Sequence, residues 1–107
     1  MLGEMATLDR LQSSGYTNIT REVRFKTSQN DVFRADFVAQ NPSGSWVAVE
    51  VKTGRGASLT ENQAVGYAEL GRGGAVLNTS RVPGLKKGSR VTMKVEVDLW
   101  SCPDCTP

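Results

Sequence analysis

Residues 32–53 read VFRADFVAQNPSGSWVAVEVKT, and this stretch decides the fold. Two runs of mostly apolar, strand-forming residues flank residues 41–45, whose Asn, Pro, Ser and Gly are typical of a tight turn. The segment therefore predicts a β-hairpin with strands over 32–40 and 46–53. A turn centred on Ser43 pairs Phe37 with Val49 and places Asp36 opposite Glu50.

In this register the hairpin has one apolar face and one face that carries charge. The apolar face consists of Ala35, Phe37, Ala39, Val47, Val49 and Val51. The other face holds Asp36 across from Glu50, and Lys52 follows Glu50 on the same side of its strand. Facing Cβ atoms lie ~4.5–5.5 Å apart, so the two carboxylates repel each other unless a proton or a cation neutralises them.

The rest of the chain predicts a single α/β (α+β) domain. Helices are expected over 1–13 and 60–70, and further strands over 17–27, 75–79 and 90–99, which gives the order α-β-β-β-α-β-β around a mixed central sheet. We expect the domain to cover residues 1–100, followed by a tail over 101–107. Its 107 residues can bury a real core.

Three packing patterns accompany these elements. In the first helix a buried stripe is expected at Leu2, Met5, Leu8 and Leu11. Ile19, Val23 and Phe25 are expected to share one face of the first strand. The last strand alternates, with one buried side made of Val91, Met93, Val95, Val97 and Leu99.

The second predicted helix starts with a capping box and contains a glycine. Thr60 and Gln63 have the Ser/Thr-x-x-Glu/Gln spacing in which each side chain bonds the other's backbone N–H. Gly66 weakens the helix by about 1 kcal/mol relative to Ala, so a close helix contact is expected there.

Composition excludes several chemistries. The chain has no histidine, which removes Ser-His-Asp hydrolases, two-histidine ribonucleases and histidine–metal nucleases. Cys102 and Cys105 form one C-x-x-C in the tail, which is half a zinc site and has no further Cys or His to complete it. The start of the chain lacks a signal-peptide pattern.

The net charge is +2, but basic residues are concentrated late in the chain. No carboxylate occurs between Glu69 and Glu96, and this stretch contains Arg72, Arg81, Lys86, Lys87, Arg90 and Lys94. Such a surplus suits either a phosphate-binding surface or a merely solvated one. We expect Arg72, Lys86, Lys87 and Arg90 to contact nucleic acid if the first interpretation holds.

Asp36, Glu50 and Lys52 together suggest hydrolysis of phosphodiesters. Mg²⁺ prefers carboxylate oxygens, polarises a phosphoryl oxygen and lowers the pKa of a bound water. Lys52 could position or deprotonate that water, or stabilise developing charge. No imidazole is needed.

The spacing of Asp36 and Glu50-Val51-Lys52 resembles the PD-(D/E)XK, or restriction-endonuclease-like, nucleases. The resemblance covers about residues 1–80, although Ala35 stands where that family often has proline. It implies Mg²⁺ or another divalent cation such as Mn²⁺, bound by Asp36, Glu50 and the Val51 carbonyl, with Lys52 and Gln63 in catalysis. Glu4 and Glu22 are further candidate metal ligands.

The run from Glu50 to Gln63 is similar to C-terminal toxin domains of bacterial competition systems, including contact-dependent growth inhibition. That resemblance implies a secreted toxin that acts in the cytoplasm of a target cell, and a cognate immunity protein. DNA is the first expected substrate, and RNA, in particular tRNA, is the second. Two alternatives stay open. One is a nucleic-acid-binding module that does not cleave, and the other is an interaction domain whose polar strand face is only solvated.

Overall fold

The described part of the chain, residues 2–53 and 59–100 of a computed structural model, contains two helices and six strands. The elements are α1 (Leu2–Ser13), β1 (Thr17–Lys26), β2 (Val32–Gln40), β3 (Trp46–Thr53), α2 (Glu61–Arg72), β4 (Ala75–Leu77), β5 (Arg90–Val91) and β6 (Lys94–Trp100). They form one sheet in the order β5-β4-β1-β2-β3-β6. Only β3 and β6 pair in parallel among the described strands, which confirms the predicted single α+β domain with a mixed sheet.

The β2–β3 hairpin has the predicted register from Phe37 onward, but the prediction that Ala35 shares the apolar face of Phe37 is wrong, because Ala35 lies in the α2 core. Its paired residues run from Gln40–Trp46 to Phe37–Val49. The Asn41 side chain fixes the turn by accepting backbone hydrogen bonds from Ser43 and Ser45, each at 3.0 Å. Gly44 adopts φ 86°, a conformation that glycine reaches without strain. The turn chemistry therefore agrees with the observed pairing.

The two helices cover opposite faces of the hairpin. Phe37 and Val49 pack with Leu11 of α1, whereas Val38 and Ala48 pack with Leu70 of α2. Neighbouring residues in a strand point to opposite faces, so the sheet is a middle layer with an apolar core on each side. The charged face predicted for the hairpin is consequently buried at Val38 and Ala48.

The predicted shared face of Ile19, Val23 and Phe25 is wrong. Ile19 packs in the α1 core, whereas Val23 and Phe25 lie in the α2 core. Between them Glu22 has φ 52°, in the left-handed region. This irregularity changes the side to which β1 directs its apolar residues, and the pattern of residue types does not reveal it.

The predicted stripe of α1 is wrong at Met5 but is confirmed at Leu8 and Leu11, which pack in the α1 core. Met5 is 62% exposed, and the buried positions are Gly3, Thr7 and Leu11. An α-helix has about 3.6 residues per turn, so a three-residue repeat drifts around the helix while these positions remain on one face. A Cβ on Gly3 would come within 2.2 Å of Thr53 Cγ2, which shows how closely α1 approaches β3.

The predicted last strand is divided in two. β5 pairs with β4, while β6 pairs with β3 on the other edge of the sheet. The expected buried side is confirmed at Val91, Met93 and Val95, which pack in the α2 core. It is wrong further along β6, where Val97 and Leu99 are 51% and 62% exposed. Glu96 and Asp98 instead contact α1, where Arg10 Nε donates to Asp98 Oδ2 at 2.8 Å. Asp98 also raises the pKa of Arg10.

The tail over 101–107, with Cys102 and Cys105, lies outside the described residues. The predicted boundary at residue 100 stays a prediction. Neither described helix has the length and apolarity needed to cross a membrane.

Gly66 lies where α2 approaches the sheet most closely. A Cβ at this position would come within 2.4 Å of the Phe33 ring. That ring stacks on Phe25, with centroids 5.3 Å apart, and meets Tyr67 edge to face at 5.6 Å. The close contact expected at this glycine is confirmed.

Gly66→Ala should therefore lower the free energy of unfolding by about 1–3 kcal/mol, because the packed ring cannot move aside freely. Gly71→Ala in the same helix is the matched control, since its Cβ would meet nothing within 4 Å. The control should be stabilised by up to about 1 kcal/mol. Urea unfolding measures both, and equal effects at the two positions would contradict this packing.

Candidate active site

The site begins where the β2–β3 ladder ends. Beyond the Phe37–Val49 pair, the Asp36 carboxylate accepts a 2.8 Å hydrogen bond from the backbone N–H of Val51. Asp36 is half-buried, and the negative charge of Glu50 acts on its carboxylate. The two acidic side chains are neighbours, as predicted, although Asp36 is attached to the backbone of β3 rather than paired with Glu50 in the ladder.

Glu50 is a buried carboxylate with a full set of partners. It is 2% exposed. Tyr67 donates its hydroxyl to Oε1 at 2.6 Å, and the Gln63 amide donates to Oε2 at 2.7 Å. Lys52 Nζ lies 3.1 Å from the same Oε2. A merely solvated strand face is therefore excluded for Glu50.

Lys52 and Gln63 are joined to each other as well as to Glu50. Lys52 Nζ donates to Gln63 Oε1 at 3.2 Å, and its side chain is 18% exposed. The same Gln63 oxygen accepts the Thr60 backbone N–H at 3.1 Å, while Thr60 Oγ1 accepts the N–H of Gln63. Gln63 thus caps α2 and orients the lysine at once.

Tyr67 is the member of the site that sequence reasoning missed. Its hydroxyl contacts both Glu50 and the backbone oxygen of Arg34, the latter at 3.3 Å. Burial, together with the Glu50 bond, raises the pKa of Tyr67, so the hydroxyl remains a donor at neutral pH. The available signal was its position one helical turn after Gln63, on the same face of α2.

The pKa of Asp36 is higher in the folded chain than that of an ordinary aspartate. Burial raises the pKa of Asp36 to about 6, against the lowering effect of the Val51 N–H, and the charges of Glu50 and Glu4 act in the same direction as burial. Glu4 pairs with Arg21 at 3.0 Å. Of the two further candidate metal ligands, Glu4 and Glu22, it is Glu4 whose charge contributes to the raised pKa of Asp36.

The donor set fits a divalent cation in part. Two adjacent carboxylates, one of them with a raised pKa, are a charge arrangement that a cation relieves. However, the described residues contain no group of three or more Asp, Glu, His or Cys placed to hold a metal ion. Any bound ion would need the Val51 carbonyl, water or substrate oxygens to complete its ligands.

The predicted basic residues do not join this centre. Arg72, Lys86, Lys87 and Arg90 are exposed. The charges of Arg72 and Arg90 act on Glu69, whose pKa is lowered chiefly by its bond from Ser28. Within residues 2–53 and 59–100, none of the four forms a hydrogen bond or ion pair with Asp36, Glu50, Lys52 or Gln63. Glu22 likewise pairs elsewhere, with Arg34.

Comparison with known protein families matches residues 1–81 to the nuclease-related domain, NERD. The chain belongs to this family. The match spans α1 to β4, and so includes Asp36, Glu50, Lys52, Gln63 and Tyr67. Searches of curated proteins and of solved structures gave no match. A nuclease-related function is therefore supported for this NERD domain, together with nucleic acid as its partner.

Asp36→Asn should stabilise the protein at high pH relative to low pH. The pKa of Asp36 is about 6 in the folded chain and ~3.9 when unfolded, so folding disfavours its ionised form. This penalty is absent below about pH 4 and complete above about pH 6. Asparagine cannot ionise, yet it retains an oxygen for the Val51 N–H.

Thermal unfolding of both proteins in EDTA, between about pH 4 and pH 8, measures this effect. The Tm of the variant minus that of the wild type should increase between about pH 4 and pH 6 and become constant at higher pH. A difference that is constant or decreases with pH would show that Asp36 is not held in this environment.

Proposed function

We propose that this NERD domain is a divalent-metal-dependent nuclease that hydrolyses phosphodiester bonds of nucleic acid. The observation that carries the proposal is the buried Glu50 carboxylate, which lies beside Asp36 and is bonded to the Lys52 amine. Burying a carboxylate costs several kcal/mol even after relaxation. Purely structural strands rarely accept that cost, whereas hydrolytic sites need such a group.

Asp36, Glu50 and the Val51 carbonyl would hold the metal ion. When bound, Mg²⁺ supplies an activated water and stabilises negative charge on the phosphoryl oxygens. The chain contributes the alignment: Tyr67 and Gln63 fix the Glu50 carboxylate from two sides. A carboxylate held in this way cannot rotate away from Asp36.

Lys52 provides the positive charge next to the reacting phosphate. Its amine is held by Glu50 and Gln63 but keeps part of its surface open. A lysine ammonium carries three donors, so a third remains for a phosphate oxygen or the attacking water. Gln63 is a positioning residue in this scheme, because it acts through Lys52 and Glu50.

A binding module without cleavage is the second candidate. Two observations favour it: no group of three metal-ligating side chains occurs in the described residues, and Glu50 is already paired with Lys52. This candidate predicts that nucleic acid binds equally well with and without a divalent cation. It also predicts no strand cleavage under any condition.

Cleavage of plasmid DNA and of total tRNA, with Mg²⁺ and with EDTA, separates the two candidates. We expect cleavage of one pool in Mg²⁺ only, and a loss of about 100-fold or more in Glu50→Gln. Mn²⁺ should substitute for Mg²⁺. Binding without cleavage in every condition supports the module, whereas an unimpaired Glu50→Gln removes Glu50 from the mechanism.

Gln63→Glu distinguishes the two roles of this side chain. Glutamate keeps an oxygen for the Thr60 N–H and so preserves the capping box, but it cannot donate to Glu50. Helix content by circular dichroism should be unchanged, while kcat should fall by about 10–100-fold. Equal activity of variant and wild type would limit Gln63 to capping.

The finer assignment to a PD-(D/E)XK toxin rests on the resemblance of the segment from Glu50 to Gln63. In that interpretation the domain is part of a secreted bacterial protein, acts in the cytoplasm of a target cell on DNA or tRNA, and is neutralised by an immunity protein. Induced synthesis of the wild-type chain in bacterial cytoplasm should then arrest growth, and Glu50→Gln should not. Growth at the uninduced rate with the wild-type chain would contradict the toxin assignment.

A further inference from the structure

A cleft rich in arginine lies on the sheet near the site. It has a volume of about 310 Å³ and is lined by Glu22, Arg24, Arg34, Asn78, Thr79 and Arg81. Three of the lining residues are arginines and one is acidic. The lining comes from β1, β2 and the segment after β4, so the cleft is assembled only by folding.

The arginines differ in how they are held. Arg81 donates to the backbone oxygens of Arg21 and Glu22, and this fixes its side chain along the cleft. Arg34 forms an exposed pair with Glu22 at 3.3 Å. The Arg24 side chain has no hydrogen bond or ion pair within the described ranges. The positive charge of the cleft therefore exceeds what its own carboxylate neutralises.

A second cleft borders the candidate active site at Gln63. It measures about 320 Å³, shares Arg24 and Arg34 with the first, and extends to Thr60, Asn62 and Gln63. Gln63 contacts Glu50 and Lys52 directly. The two clefts meet at Arg24 and Arg34 and are together called the groove, which Gln63 borders at one end.

The chemistry of the groove suits phosphate groups. Arginine presents a planar set of donors that matches phosphate oxygens in a bidentate manner. The first turn of α2 also borders the groove at Asn62, and helix N-termini favour anions. Among the described lining residues, the only acidic side chain is Glu22.

We propose that Arg24, Arg34 and Arg81 bind backbone phosphates of one nucleic-acid strand adjacent to the bond that is cut. The strand then runs from Glu50 and Lys52 past Gln63 to Arg81. The basic residues Arg72, Lys86, Lys87 and Arg90 line neither cleft. The inference rests on the proposed function and names its substrate-binding surface.

The test is equilibrium binding of a fluorescein-labelled single-stranded DNA 20-mer, measured by anisotropy in EDTA at several salt concentrations. Arg24→Gln should weaken binding about tenfold, and the Arg24→Gln/Arg34→Gln double variant should weaken it further. The slope of log affinity against log salt should become shallower by roughly 0.7 for each phosphate that the variant no longer binds.

Lys86→Gln/Lys87→Gln is the matched control, because it removes the same number of charges from the exposed basic segment. It should change affinity by less than about threefold. Glu22→Gln should tighten binding, since it removes the one carboxylate of the groove. Thermal unfolding of each variant checks that the fold is retained.

A lysine double variant that binds as weakly as the arginine double variant overturns the proposal, as does a wild-type protein that does not bind. An unchanged or weaker affinity in Glu22→Gln also contradicts it. Because binding is measured in EDTA, it is independent of cleavage. If the wild-type protein does not cleave and the arginine variants lose binding, the groove is upheld and the nuclease is refuted. If the wild-type protein cleaves and the arginine variants bind normally, the nuclease is upheld and the groove is refuted.

Discussion

The arrangement depends on one constraint, the burial of the Glu50 carboxylate. A charge that is 2% exposed is stable only when its oxygens are bonded and an opposite charge is close. β3 supplies Lys52, and α2 supplies Gln63 and Tyr67. The same contacts that satisfy the charge therefore fix the helix on the sheet and assemble the site.

The site also depends on the point at which backbone pairing between β2 and β3 stops. Up to Phe37 and Val49 the strands are paired by their backbones. One residue further, Asp36 uses its own carboxylate to accept the Val51 N–H. This places Asp36 beside Glu50 at a point where the sheet opens. Burial and the neighbouring charge together keep its pKa near 6, so the site carries an electrostatic cost that a cation or a proton removes.

Local signals predicted much of this correctly. The turn at Ser43 predicted the hairpin register, the capping box predicted the start of α2, and Gly66 predicted its closest approach to the sheet. Asp36, Glu50, Lys52 and Gln63 come together because their positions follow from these elements. Each of these features depends on residues that are close in sequence, which is why a pattern could reveal them.

The features that were missed depend on tertiary contacts. Neither the left-handed Glu22 nor the position of Tyr67 over Glu50 is encoded in a periodic pattern. In β6, ion pairs with Arg10 of α1 hold Glu96 and Asp98 on the side that faces α1. Val97 and Leu99 are exposed on the other side, although they are hydrophobic. The arginine groove likewise joins three separate segments, and only Arg81 of its arginines lies in the basic stretch after Glu69 that charge counting along the chain favoured.

An anomalous difference map from a crystal soaked in Mn²⁺ tests the central claim most directly. We expect one strong peak at coordination distance, roughly 2.0–2.3 Å, from an oxygen of both Asp36 and Glu50, with Lys52 beside it. No peak at these carboxylates, or ordered Mn²⁺ only at other acidic groups such as Glu96 and Asp98, would contradict the proposed hydrolytic centre.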